Sequence, residues 1–181
     1  MNFTKRSIAF LLCVLTLLLI AGGITYAILK KSADPIINRF SAGEIGCEIE
    51  ETFDGTDKTV VKVQNTGNAA AYIRVKLVTY WKDADGAVAA LAPAALNFTL
   101  GEGWITDGKG TYYYTLPVAG GGKTGNLIAD GSKITLTQTA DGMKQVVDVL
   151  AESIQAAPKE AAEGAWNVTI SSTGVVSLGS D

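Results

Sequence analysis

The chain has 181 residues, 48% hydrophobic and 18% charged, with fifteen Lys plus Arg against eighteen Asp plus Glu. A formal charge of −3 lacks the basic stripe with which a nucleic-acid binder displaces counterions. Histidine is absent, which removes Ser-His-Asp, Cys-His and HExxH chemistry and the commonest zinc sites.

Residues 1–27 read as an export signal. Lys5 and Arg6 precede the uncharged run Ile8 to Ile20, and Thr25-Tyr26-Ala27 places small side chains at −3 and −1 of a cleavage site. The stretch from Ser7 to Leu29 is also long enough to span a bilayer as a retained hydrophobic helix, since about 20 apolar residues suffice. Leu12 stands before Cys13 where a lipoprotein needs a small residue. Cleavage after Ala27 removes Lys5 and Arg6, leaving thirteen basic and eighteen acidic residues and a charge of −5. Cys47 is then alone, without a disulfide partner, and reads as a small hydrophobe on a strand.

Residues 28–43 form a leader whose apolar side chains, Ile28, Leu29, Ile36, Ile37 and Phe40, are too scattered to build a core. Pro35 suits a linker or sheet edge. The segment Ile36, Ile37, Asn38, Arg39 and Phe40 is the candidate donor strand for a neighbouring subunit; a flexible or self-folded leader is the competing reading.

From residue 44 to 181 the chain reads as one β domain. Ile45, Cys47 and Ile49 alternate with Gly46, Glu48 and Glu50. Val61 and Val63 alternate with Lys62 and Gln64, and Ile73, Val75, Leu77 and Trp81 oppose Arg74 and Lys76. The link Asn65-Thr66-Gly67-Asn68 predicts a hairpin between the last two runs. Ala84 to Ala95 is a loop or short helix. Tyr112, Tyr114, Leu116 and Val118 form one face and Tyr113 and Thr115 the other, followed by a strand over Ile134 to Thr139. Met143 to Ile154 fits helical spacing through Met143, Val146, Val147, Leu150 and Ile154, and strand parity through Val147, Val149 and Ala151. Pro158 to Ala165 predicts a helical turn, and Val168 to Ile170 and Val175 to Leu178 are final strands. Many short strands with glycine turns indicate an all-β sandwich or barrel.

No reactive centre assembles. Gly120-Gly121-Gly122-Lys123-Thr124-Gly125 mimics a phosphate loop, but Pro117 occupies its first glycine position and no helix follows. Asp83-Ala84-Asp85-Gly86 lacks the remaining ligands of a calcium loop. Glu48 and Glu50 share a solvated strand face beside Glu51. Trp104 with the tyrosine run suggests a sugar platform, yet alternation buries two tyrosines and leaves Tyr113 at the surface. No catalytic, cofactor or metal residues are assigned.

Several stretches together resemble the TasA/camelysin-like family of exported proteins. Thr25-Tyr26-Ala27 is similar to the signal end of substrates of the SipW-type signal peptidase. Asn38 to Ile45 running into Glu48 to Glu51 resembles the opening of the mature proteins. Lys62 to Val75, with its Asn-Thr-Gly-Asn turn before Tyr72-Ile73-Arg74-Val75, is the most specific match. Trp104, the tyrosine run, Gly122-Lys123-Thr124 with Leu127, Ala151 to Ala156 and Trp166 continue it in order. Ile28-Leu29-Lys30-Lys31 departs from the aromatic and acidic residues usual after the cleavage site.

The resemblance implies a secreted or surface-associated protein of a Gram-positive bacterium. Its implied fold is a jelly-roll-like antiparallel sandwich with one or two short helices, in which 143–155 is mainly strand. The implied role is a subunit of biofilm matrix fibres, joined by β-strand addition. Partners are then further copies of the chain, related matrix or anchor proteins, and the signal peptidase during export. The metallopeptidase activity ascribed to some relatives is not carried over without histidine. The alternative function is a monomeric or membrane-retained surface module that binds carbohydrate or protein.

Overall fold

A computed structural model describes residues 44–139 and 141–179. The expectations on Thr25, Tyr26 and Ala27 and on Ile36, Ile37, Asn38, Arg39 and Phe40 lie outside the described residues. Among the described residues no helix is long and apolar enough to cross a membrane.

The described chain is predominantly β, with antiparallel sheets and one helix. The strands are β1 (Cys47–Phe53), β2 (Asp57–Asn65), β3 (Ala71–Lys82), β4 (Val88–Ala89), β5 (Trp104–Thr106), β6 (Thr111–Tyr114), β7 (Ile134–Thr135), β8 (Lys144–Gln155), β9 (Val168–Ile170) and β10 (Val176–Leu178). The helix α1 (Glu160–Trp166) lies between β8 and β9. One sheet has the order β1-β2-β7. The second runs β4-β3-β6-β5, with β8 along the other side of β3, and β9 and β10 form a separate pair.

The period of two in β2 and β3 sets the inner faces. Val61 and Val63 from the first sheet and Ile73, Val75, Leu77 and Val147 from the second join one buried cluster, completed by Trp104, Val118, Leu127, Ile128 and Ile134. The hairpin expected between β2 and β3 does not form: the two strands belong to different sheets. Asn65, fully buried, holds this crossing. Its Nδ2 donates to Ala69 O at 2.8 Å and Val118 O at 2.9 Å, and its Oδ1 accepts the Gly67 N–H at 3.0 Å. A side chain that satisfies the bend from inside lets the chain change sheets where a tight turn would have kept it in one.

Residues 144–155 are strand throughout, paired with β3 in one unbroken register from Ala71↔Gln155 to Lys82↔Lys144. The helical spacing yields because β8 is partly covered on both faces. Val147, Val149 and Ala151 turn to the main core, while Ile154 packs with α1, β9 and β10. That second cluster also corrects the reading of Tyr113. It is 6% exposed and packs edge-on against Trp166 with ring centroids 6.1 Å apart, because the C-terminal segment covers the outer sheet face. Leu116, expected on the inner face, is exposed. The strand expected at 134–139 shortens to Ile134–Thr135. The alanine-rich stretch is irregular apart from β4, anchored by Trp81 Nε1 donating to Ala92 O at 2.9 Å.

Two carboxylates clamp the periphery. Glu163 accepts the Ile170 N–H at 2.8 Å and a bond from Lys159 Nζ at 3.1 Å, which hold its carboxyl below the ordinary 4.5. Asp57 is held below 3.8 by Lys133, then by Thr135 across the β2–β7 junction. A depressed folded-state pKa gives stability that is present above the unfolded value and lost as pH falls through the folded one. The melting temperature therefore drops as pH is lowered below 4.5, and Asp57→Asn with Glu163→Gln flattens that dependence in a calorimetric pH series. Asn65→Ala strands buried main-chain groups and costs about 2–3 kcal/mol, read as a lower urea midpoint at unchanged slope.

Candidate interaction edge

A strand has two rows of main-chain groups, and each row needs a partner or solvent. Just before β1 the Glu44 and Gly46 carbonyls accept the Asn68 and Thr66 N–H groups, both at 3.0 Å. Even-numbered residues of β1 therefore turn their main chain toward β2, and Cys47, Ile49 and Glu51 turn theirs away. Just after β8 the Ala156 N–H donates to Ala70 O at 2.8 Å. Even-numbered residues again face the partner, so Val147, Val149 and Ala151 face outward. Among the described residues β1 pairs only with β2. β8 pairs only with β3, apart from a bridge at Lys144 and the Gln145 N–H, which donates to Thr137 O.

The far edge of β2 is sealed differently. Val61 N–H donates to Asn126 Oδ1 at 2.8 Å and Val63 N–H to Thr124 Oγ1 at 3.0 Å, while Leu127 N–H and Thr124 N–H return bonds to the Val61 and Val63 carbonyls. The remaining terminal strands β4, β5, β7, β9 and β10 are two or three residues long. The two long open edges, β1 and β8, lie on one flank.

Between them runs a groove. Its wider end, about 540 Å³, is lined by Glu51, Phe53, Lys58, Leu136, Lys144, Gln145 and Val147 among others. It continues along Ile49, Glu51, Val147, Val149 and Leu150 in a recess of about 390 Å³. Its apolar lining is Ile49, Val147 and Val149, of which Val147 and Val149 also pack against the main core.

A bulge shapes the wide end. The β1–β2 register shifts between Thr52↔Val60 and Phe53↔Lys58, so Thr59 is exposed and Lys58 turns inward, 3% exposed. Bulges re-aim side chains in this way. Lys58 Nζ donates to Glu51 Oε2 at 2.5 Å and stands 5.6 Å from the centre of the Phe53 ring. Among the described residues Glu51 is its single acceptor, although an ammonium carries three donors. The Val60-Val61 doublet, which breaks the alternation of β2, is the sequence signal of this bulge.

The other candidate residues stay apart. Glu48 and Glu50 lie on the exposed face of β1, and Lys123 pairs with Glu50. Glu51, grouped with them by sequence, belongs to the groove. Cys47 is half-buried and packs against the main core. Gly120 to Gly125 form a turn against the end of β2, in which the Asn65 N–H donates to Gly122 O at 2.9 Å and Gly121 has φ +75°. The Asp83 carboxylate accepts the Asp85 and Ala87 N–H groups and is spent on its own turn. Trp104 is 5% exposed, donates to Gly125 O at 3.0 Å and meets Tyr114 edge-on, which makes it core and not a sugar platform. Among the described residues no three His, Cys, Asp or Glu side chains are grouped to hold a metal ion.

Comparison with family models, with curated proteins and with solved structures gave no match. The chemistry of the flank is that of main-chain hydrogen bonding along two open strands over an apolar floor.

Truncating Glu51 leaves a buried ammonium without its acceptor, whereas replacing Lys58 by an apolar side chain removes the need for one. Glu51→Ala is expected to cost about 1–2 kcal/mol, allowing for the exposure of Glu51, and Lys58→Met less than about 1 kcal/mol. Paired urea titrations check the order.

Proposed function

We propose that this chain is an exported structural subunit with a jelly-roll-like β-sandwich, resembling the TasA/camelysin-like proteins, and that it polymerises into extracellular fibres by β-strand addition. The observation that supports this reading is the pair of long open edges flanking one groove. An extended segment laid along it gains main-chain hydrogen bonds from a preformed ladder, and its alternate side chains cover the apolar floor. The donor is the leader of another copy, centred on Ile36 to Phe40 and freed when the signal is cleaved after Ala27. The reading calls for no catalytic group or cofactor.

A proline at position 49 of β1 tests the edge. The Ile49 N–H faces outward, so Ile49→Pro removes no bond within the β1–β2 ladder but denies one to an added strand. The variant is expected to keep the parental circular dichroism spectrum and to lose polymerisation by light scattering and negative-stain microscopy, as is a chain lacking residues 28–40. Unchanged fibres from either variant overturn the assembly route. A parent protein that stays monodisperse favours the monomeric binding module instead.

A further inference from the structure

The groove also selects how the added strand lies, an inference that rests on the assembly reading above. We propose that the leader of a second copy adds antiparallel to β1 in one register: Asp34 at Glu51 and Lys58, Ile36 against Ile49, Asn38 against Cys47, and Phe40 against Ile45.

Three constraints converge on this arrangement. The first is main-chain parity. Cys47, Ile49 and Glu51 present the free hydrogen-bonding groups of β1, so the donor residues opposite them must bond in both directions. If those are Asp34, Ile36 and Asn38, Pro35 falls on the far side, where its missing N–H costs the new ladder nothing. The opposite parity removes a bond at Pro35.

The second constraint is the apolar face. Cys47 and Ile49 turn inward on β1, and Ile45, 44% exposed, continues the row. The proposed register lays Ile36 and Phe40 on Ile49 and Ile45. A shift of two residues in one direction puts Ile36 on Glu51, and in the other it puts Asp34 on Ile49.

The third is charge. The wide end of the groove carries Lys58 and Lys144 against Glu51, a net positive spot on an acidic chain. Lys58 is nearly buried, with one protein acceptor for three donors. An aspartate carboxylate fills that capacity. The reverse strand direction, parallel to β1, carries Asp34 away from both lysines and brings Phe40 to that end.

The start of β1 is fixed against β2. Glu44 is held to Asn68 by two bonds, one from its N–H to Asn68 Oδ1 and one from the Asn68 N–H to its carbonyl, so the row facing an added strand stays on the outer edge.

The native Cys47 supplies the test. In the full chain carrying Cys13→Ser, Asn38→Cys sets two sulfurs on facing residues. Their Cα atoms are then about 5.5 Å apart, within disulfide range. Mild oxidation of the assembled protein is expected to give a ladder of covalent multimers that reductant dissolves, with the 38–47 linkage found by peptide mass mapping. Ile37→Cys, one residue out of register, is expected to cross-link about tenfold less. Adding Asp34→Asn or Lys58→Met is expected to lower the cross-linked fraction about fivefold each, with no further loss when combined. Fibres that form without the 38–47 linkage, or equal linkage from Ile37→Cys, overturn the register while the assembly reading stands. A monomer with an internal 38–47 linkage overturns the choice of a second copy. Absence of any polymer from the parent chain overturns both readings.

Discussion

Strand edges govern this molecule, because each extended segment exposes main-chain groups that must be bonded to protein or left to water. β2 meets the requirement on one side with β1 and on the other first with the short β7 and then with an irregular segment, where Asn126 and Thr124 side chains accept the Val61 and Val63 N–H groups that a further strand would otherwise take. This seals the first sheet along an irregular segment. The opening is thereby moved to β1, and β8 remains open beside it on the same flank. Short terminal strands are the usual protection against edge-to-edge pairing. β4, β5 and β10 follow that pattern, and β1 and β8, with seven and twelve residues, do not.

The C-terminal segment performs the complementary task on a face. α1, β9 and β10 bury Tyr72 and Tyr113 on the outer side of the second sheet. Arg74 lies 5.0 Å from the Trp166 ring centre and pairs with Glu152 on β8. The arginine thus ties the segment to the β3–β8 pair through an aromatic contact and an ion pair together. The Val176 N–H adds a main-chain bond to Thr115 O at 2.8 Å. With this face covered at one end and the inner face packed, the accessible main-chain surface of the long strands is their edge.

The groove between the open edges combines an apolar floor with one inward-turned lysine. A bulge creates that lysine's position, and the cost of burying its charge is met by Glu51 alone within the described residues. A flat, wholly apolar edge would pair with many strands in many registers. A charge at one end and apolar side chains along the rest restrict the choice.

Much of the local structure was legible in the sequence. Strict alternation in Val61-Val63 and Ile73-Val75-Leu77 marked strands and their inner faces, because a half-buried strand leaves a period of two. Asp83-Gly86 and Gly120-Gly125 were legible as turns, since their geometry needs only local residues. What the tertiary structure decided is where segments go and what covers them. Asn65 sends the chain into the other sheet through bonds to Ala69 and Val118. Tyr113 is buried because residues some fifty positions later fold over it, and β8 is a strand because β3 pairs its whole length. Lys58 points inward because of a register slip against β1. Each of these depends on a partner distant in the chain, and a periodicity of one segment carries no information about the partner that will meet it.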